Sequence, residues 1–412
     1  MVNEAYIVDY LRSPFSRARP ETPERDLFNK VYMPDVTAML IKKIIERTGV
    51  NPEEIGDVLT GCTMQMKENW TYGGRVINFL AGLPVNVSAQ AIDRVCISSM
   101  SAIHLGTMEI MLGYSDIVFA CGMEHLTHLP MQMELNPHLG ISPSLYKPER
   151  VEKYDLTTVM DVCLTAEKLY AKYRDELGWT RRDFDEWGLR SHRLATKALR
   201  EGYFIKGAGY PNNWEEGEII PVEVELPDGT KKVLKSDQSI RPDCTLEKIE
   251  KLPPSCKPDG AINAANSSPL NSGAVAMLLM SKKKMKEYGL EPLARIVSMG
   301  WAGVDPSIMG EGPLYASRKA LKHAGLEAKD IDYWEINESY SVVALLTIKK
   351  LGIDPDRVNI KGDALALGHP LGASGGRVTG TLARILRIKE ARYGCAAICG
   401  GGGQGGAIII ES

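Results

Sequence analysis

Val36–Gly61 reads VTAMLIKKIIERTGVNPEEIGDVLTG, and Leu314–Asn337 reads LYASRKALKHAGLEAKDIDYWEIN. Each is an amphipathic helix closed by a glycine, then a short turn opening an Ile step, then a strand. Gly49 matches Gly325 and Ile55 matches Ile331, both at a spacing of 276 residues. Two further pairs follow in the same order. VCISSMSAIHLGTMEIMLG (95–113) and HPLGASGGRVTGTLARILR (369–387) align through Gly106-Thr107 and Gly380-Thr381, each a small-residue turn running into a buried helix. SDIVFACGMEHLT (115–127) and YGCAAICGGGGQGGAIIIE (393–411) each contain a continuous apolar strand ending in Cys-Gly. One matched pair carries little weight; three in register predict a duplicated chain.

Alternating strands and helices predict layered α/β units with helices on both sheet faces. The two halves are expected at 1–281 and 282–412. Between about 126 and 254 the first half changes to a charged, helix-rich, proline-punctuated stretch, read as an inserted loop domain over the first half's site. Within it, LPDGTKK (226–232) predicts a hairpin.

Composition excludes several classes. With 49 basic and 52 acidic residues and a net charge of -3, the chain has no electrostatic footprint for nucleic acid or an anionic membrane. Its opening, MVNEAYIVDYLRSPFSRA, is too short in apolar length for a signal peptide or membrane span, so a cytoplasmic enzyme is expected. Eight scattered cysteines read as reduced thiols, and Cys395 and Cys399 lack the second pair that a zinc site needs, so no metal is expected.

Aligning the halves places Cys96 opposite Pro370, one position from His369. A pseudo-twofold would then bring a thiol-bearing turn and an imidazole-bearing turn together, with Cys399 in the turn equivalent to Cys121. A thiol at a helix start faces unsatisfied amides and the positive dipole end, which favour thiolate; the competing reading is an inert core cysteine. Asp93, three residues earlier, opposes the anion. Gly368 and Pro370 fix the backbone on both sides of His369, as a catalytic base requires. Cys399 opens CGGGGQGGA, where successive glycine amides suit a developing oxyanion, or simply a tight closing turn. Asn337 and Glu338 stand at a strand-to-helix junction, where an N-cap is the plainer role.

Together, DRVCISSMSA, NESYSVVA, GHPLGASGGR and CGGGGQGGA, with MGEGP (309–313) and NAANSSPLNSGAVAMLLMS (263–281), resemble the thiolase family over the whole chain. The resemblance implies a duplicated five-layered α-β-α-β-α fold and a reversible reaction. 3-Ketoacyl-CoA is cleaved by coenzyme A, or acetyl-CoA units are condensed, through an acyl-Cys96 intermediate. It implies His369 as the base at sulfur and Cys399 as the acid/base at C2. Asn337 would hold a water that, with His369, forms one oxyanion hole, and the amides of Cys96 and Gly401 would form the other. Ser268, Met309 and Tyr340 would lie against the coenzyme. The resemblance further implies acyl-CoA and coenzyme A as the partners, fatty-acid metabolism and β-oxidation as the setting, no prosthetic group, and a homodimer or homotetramer.

Against the usual pattern, Asp93 replaces Asn, Ser339-Tyr340 replaces Ala-Phe, Gly400 replaces a bulky apolar residue, and Val162-Cys163 replaces a Met-Gly step at the acyl pocket. Ketoacyl-acyl carrier protein synthases share the fold but need a second C-terminal-half histidine, for which His323 is the one further candidate. A catalytically silent subunit or scaffold is the non-enzymatic alternative.

Overall fold

The computed structural model describes residues 3–131, 140–212 and 214–412. In the first half the main elements are β1 (Ala5–Arg12), α1 (Met33–Thr48), β2 (Asp57–Gly61), β3 (Ser88–Ile92), α2 (Ser98–Leu112) and β4 (Ile117–His125). After β4 come α3 (Val162–Leu177), α4 (Arg181–Arg200) and the hairpin β5 (Val222–Glu225) and β6 (Lys231–Leu234), before the chain returns to the sheet as β7 (Asn271–Ser281). The second half runs β8 (Ala294–Gly303), α5 (Gly312–Ala324), β9 (Tyr333–Ile336), α6 (Ser341–Leu351), α7 (Leu371–Lys389), β10 (Tyr393–Gly400) and β11 (Gln404–Glu411).

The repeat survives in three dimensions. α1 buries Val36, Leu40, Ile41 and Ile44, the i, i+4 stripe that its sequence shows, and stops where Gly49 turns left-handed at φ 66. α5 stops the same way at Gly325, φ 67. A 3-10 turn and a strand follow each helix, at Pro52–Glu54 and β2, and at Ala328–Asp330 and β9.

The strands run β9-β10-β11-β8-β1-β7-β4-β2-β3, with the two-residue strand Ser16–Arg17 beside β7. β2 pairs in parallel with β3 and β4, and β9 with β10; the remaining named ladders of this sheet are antiparallel. The halves meet where Tyr6 and Ile7 pair with Arg295 and Ala294. α1 packs on β1, β4 and β7, and α5 on β8, β10 and β11. α2 and α7 pack on each other and touch strands of both halves, which makes them the middle of five layers. The apolar 18-residue run Val95–Leu112 is this central helix with its leading turn. A Cβ on Gly375 would lie 2.6 Å from the Met100 amide nitrogen, so only glycine lets α2 and α7 approach this closely.

The hairpin forms as expected, with Val222 opposite Leu234 and Gly229 at φ 83 in its turn. It belongs to the segment between β4 and β7, of which residues 132–139 and 213 lie outside the described residues. Two buried guanidiniums anchor that segment to the core. Arg12 of β1 holds Glu218 and Asp237, each at 2.7 Å, and Arg384 of α7 holds Glu218 at 3.0 Å.

The expectation of eight reduced thiols is corrected here. Cys163, in the first turn of α3, is disulfide-bonded to Cys256, 93 residues later, with 5.8 Å between their Cα atoms. That pairing depends on how the inserted segment folds back, which neither cysteine's neighbours encode.

Candidate active site

Cys96 immediately precedes Ile97, the N-cap of α2, and His369 immediately precedes Pro370, the N-cap of α7. The internal alignment, which set Cys96 against Pro370, is therefore one residue out of register with the helix starts. Val95 takes a left-handed φ of 49, and the Asp93 carboxylate accepts its N–H at 2.8 Å. Asp93 thus fixes the turn that presents the thiol. On the other side, Gly368 at φ 111 lies against Asn271, whose Oδ1 accepts the His369 N–H at 3.2 Å. Leu270 also bridges to His369.

The Cys96 sulfur is buried, and burial pushes its thiol up, reinforced by neighbouring Cys399. The N–H groups of Gly401 and of Cys96 itself pull the other way. The expected preference for thiolate in the resting state is therefore corrected, because desolvation outweighs the amides at the helix start. The same two N–H groups are the pair that the family resemblance assigns to an oxyanion hole. Gly400 stands beside them, where a Cβ would sit 2.8 Å from the end of the Ile97 side chain.

Around Cys399 the polar groups converge on one hydroxyl. Ser339 Oγ lies 3.4 Å from Cys399 Sγ and 3.4 Å from His369 Nε2, and accepts from Asn337 Nδ2 at 2.9 Å. Asn337 does not cap α6, whose N-cap is Tyr340; its amide turns inward. His369 Nδ1 faces Ser374 Oγ at 2.6 Å, and Ser374 spends its own proton on the Pro370 carbonyl at 2.9 Å. Nδ1 therefore carries the imidazole proton, and Nε2 offers a lone pair to the site. Burial, with Arg377 nearby, lowers His369 to about 3, so the ring is neutral.

Tyr340 is buried, its hydroxyl pushed up by burial and by Asp161, Cys399 and Cys96, which sets it beside both thiols. Met309 shares an apolar cluster with Tyr340 and Cys399. Ser268 is half-buried; its N–H donates to the Ser339 carbonyl at 3.0 Å, and Ser267 bridges to Tyr340. A cavity of about 270 Å³ opens at neighbouring Pro269, lined among others by Arg17, Arg241, Lys248, Ser239 and Leu252. Arg17 is lowered by burial and by the cations of Arg19 and Arg241, an excess of positive charge that an anionic ligand would relieve.

Not every residue singled out in the sequence belongs to the site. Cys121 lies inside strand β4 and Cys399 inside strand β10, so the proposed turn equivalence is corrected: neither occupies a turn. His323 is exposed on the last turn of α5 with Nδ1 on the Met299 carbonyl, and does not join the thiols as a synthase histidine would. Glu68, His125 and His128 bring ligand-type atoms within 4.8 Å of one another. Their ring nitrogens face Phe28 O, Asn29 O, Ser272 Oγ and Glu68, a hydrogen-bonded network within the protein.

Sequence reasoning missed the supports. Ser374 fixes the tautomer, Asn271 holds the His369 backbone, and buried Glu124 at the end of β4 accepts the Gly372 N–H at 3.0 Å. Burial raises Glu124 to about 7. Only Ser339 left a trace, as a departure from the family pattern.

Two matched helix starts, one bearing a thiol and the other an imidazole, equip a transferase that works through sulfur. Comparison with known proteins gives the class its family. Residues 5–283 match the thiolase N-terminal domain and 290–412 the thiolase C-terminal domain. A 3-ketoacyl-CoA thiolase of Marinobacter nauticus is 38% identical over 413 residues, covering 99% of this chain and 98% of that protein. One from Vibrio parahaemolyticus is 40% identical over 410 residues, covering 98% and 97%. The crystal structure of human mitochondrial 3-ketoacyl-CoA thiolase superposes with a TM-score of 0.85 at 32% identity, covering 100% of this chain and 99% of that one; its complex with CoA gives 0.84 at 31%, covering 100% and 98%. The chain belongs to the thiolase family, and it is an enzyme, an acyl-CoA C-acyltransferase.

Proposed function

We propose that this enzyme cleaves 3-ketoacyl-CoA with coenzyme A to acetyl-CoA and a shortened acyl-CoA, and runs the reverse condensation, through an acyl thioester on Cys96. The observation that carries the reading is the convergence of two buried, interacting sulfurs. Cys96 lies under the Gly401 N–H and its own, and Cys399 is joined through Ser339 to His369 and Asn337.

In thiolysis, Cys96 attacks the C3 ketone as His369 Nε2 takes its proton. A neutral thiol beside a neutral imidazole costs nothing to hold, and the charge pair forms only as the bond forms. The alkoxide at C3 collapses, the C2–C3 bond breaks, and its electron pair spreads onto the thioester oxygen as an enolate. Asn337 with His369 receives that oxygen, while the N–H groups of Cys96 and Gly401 receive the oxyanion at the acylated sulfur; each such donor is worth about 3–4 kcal/mol. Cys399 protonates C2, releasing acetyl-CoA. The proton that His369 took from Cys96 returns to the Cys399 thiolate, and coenzyme A, deprotonated by the neutral His369, then attacks the Cys96 thioester, whose sulfur regains that proton as it leaves. The covalent Cys96 thioester makes the kinetics ping-pong, and reversibility of each step lets the same site run the condensation.

The coenzyme is a substrate here, and the chemistry calls for no prosthetic group. Its pantetheine would pass Ser268 and Met309 beneath Tyr340, and its phosphates would meet Arg17, Arg241 and Lys248. Two halves, 1–281 and 282–412, would each contribute one helix start. A homodimer or homotetramer in the cytoplasm, serving β-oxidation, is the matching context. β3 supports it as an edge strand of the sheet, with exposed Trp70, Tyr72 and Phe79 on the segment just before it.

The test is a panel of 3-ketoacyl-CoAs of increasing length, each with coenzyme A, followed by loss of enolate absorbance. Turnover is expected, and Cys96→Ala should lower it about a thousandfold or more. No turnover at any length, with Cys96 untouched by acyl-CoA in mass spectra, would reject the proposal.

A further inference from the structure

Ser339 stands where the family pattern has alanine, and its hydroxyl is the point at which the site's polar groups meet. It is 6% exposed. It has one proton to give and two lone pairs to receive. One lone pair takes the Asn337 amide at 2.9 Å. The other takes the Cys399 thiol, which donates to Ser339 Oγ at 3.4 Å, and the hydroxyl proton faces His369 Nε2, also at 3.4 Å. Because Ser374 fixes the imidazole proton on Nδ1, Nε2 can only accept in the resting state, so the Ser339 proton goes to it while the Cys399 thiol donates to the same hydroxyl.

We propose that Ser339 is a positioning residue of the acyl-transfer site, whose hydroxyl ties the ionisation of Cys399 to that of His369 while holding the Asn337 amide. With Nε2 bare, the hydroxyl proton turns to the imidazole and the Cys399 thiol keeps its own. Once Nε2 gains a proton and Cys399 loses its own, Nε2 donates to the lone pair of Ser339 that the thiol has left, and the hydroxyl turns to Cys399 and stabilises its thiolate. The exchange balances: the Cys399 proton passes to Ser339 Oγ as the Ser339 proton passes to Nε2, leaving thiolate and imidazolium with the alcohol unchanged. An alanine could make neither bond.

Other charged groups also bear on this pair. Cys96 and Tyr340 face Cys399, Asp161 acts on Tyr340, Arg377 faces His369, and Glu124 acts on Cys96. Burial raises Cys399, and the Ser339 bond is the largest influence opposing it. Removing Ser339 therefore moves Cys399 upward while those neighbours stay in place.

The inference rests on the reading of Cys399 as the acid/base at C2, and the experiment separates the two. Full-length wild type, Ser339→Ala, Ser339→Thr and Cys399→Ala are compared in two assays. One is deuterium uptake from solvent into the C2 methyl of acetyl-CoA across pH 6–10. The other is the burst of Cys96 acylation. In Ser339→Ala the exchange rate at neutral pH should fall about tenfold and its rise with pH should shift about one unit higher, as loss of a charge-assisted hydrogen bond implies. The acylation burst should fall less than the exchange rate, and Ser339→Thr, which keeps the hydroxyl, should restore the pH profile. An unchanged pH profile in Ser339→Ala, or a loss that Ser339→Thr does not repair, overturns the proposal and leaves the reading of Cys399 standing. Exchange that survives Cys399→Ala overturns both.

Discussion

Cys96 shows how far a single residue can be read from its neighbours. Its sequence context gave it a helix start, and a helix start lowers a thiol. The folded site adds what the context lacks: burial beside Cys399, which raises the same thiol. The sign of the shift is set by the larger of two opposed effects. Unliganded Cys96 should therefore be a slow nucleophile at neutral pH. Its alkylation by iodoacetamide should rise about tenfold per pH unit without levelling below pH 9, read by peptide mass spectrometry. A plateau between pH 6 and 8 would mean that the amides dominate. His369 follows the same logic in reverse, since its rigid flanks marked it in the sequence as a candidate base while its tautomer was decided by Ser374, five residues on.

At the level of elements, two contacts carry the geometry. The first is the close packing of α2 on α7, which sets the thiol turn against the imidazole turn. Gly375→Ala puts a methyl 2.6 Å from the Met100 nitrogen, where backbone on both sides prevents relief. Overpacking of this kind costs about 1–3 kcal/mol, and here it should also part the two helix starts. Thiolysis kcat should fall more than tenfold while substrate KM changes little; a drop in stability with normal kcat would separate packing from catalysis. The second contact ties the inserted segment to the core. Glu218 receives both Arg12 and Arg384, and all three side chains are shut off from solvent. Glu218→Gln leaves two buried guanidiniums sharing too little negative charge, at a cost of about 3 kcal/mol, visible as a lower urea midpoint. A change under about 0.5 kcal/mol would show that Asp237 alone suffices for Arg12. The helix, glycine stop and strand of each repeat were plain in the sequence because they rest on local periodicity and local backbone preference. The Glu218 anchor was not, because its partners lie 206 and 166 residues away.

For the whole molecule, pH acts on buried groups of opposite sign. His104, His192 and His369 are lowered by burial to about 3, 4 and 3, against about 6.5 in an unfolded chain. Below 6.5 the unfolded state takes up protons that the folded state refuses, so each histidine destabilises the fold as pH falls. Asp9, Glu124 and Glu338 are raised by burial to about 7, so the folded state keeps protons that the unfolded one releases, and acidification from 7 towards 4 favours the fold. The two sets offset each other in wild type. His104→Phe removes one term: His104 is wholly buried in α2 with its ring 4.9 Å from that of Trp301. Relative to this variant, wild type should lose about 1 kcal/mol between pH 6.5 and 5.5, measured by urea denaturation at each pH. A difference independent of pH would place the histidine outside the proton balance. By itself the sequence determined the duplication, the order of elements, the hairpin in the insertion and the family, because these follow from repeated local patterns and from blocks of residues that keep their order. Tertiary structure alone decided the charge state of Cys96, the pairing of Cys163 with Cys256, and the meeting of Asn337, His369 and Cys399 on the Ser339 hydroxyl. Desolvation, disulfide proximity and hydrogen-bond competition are properties of groups brought together from distant parts of the chain, and local sequence carries no term for them.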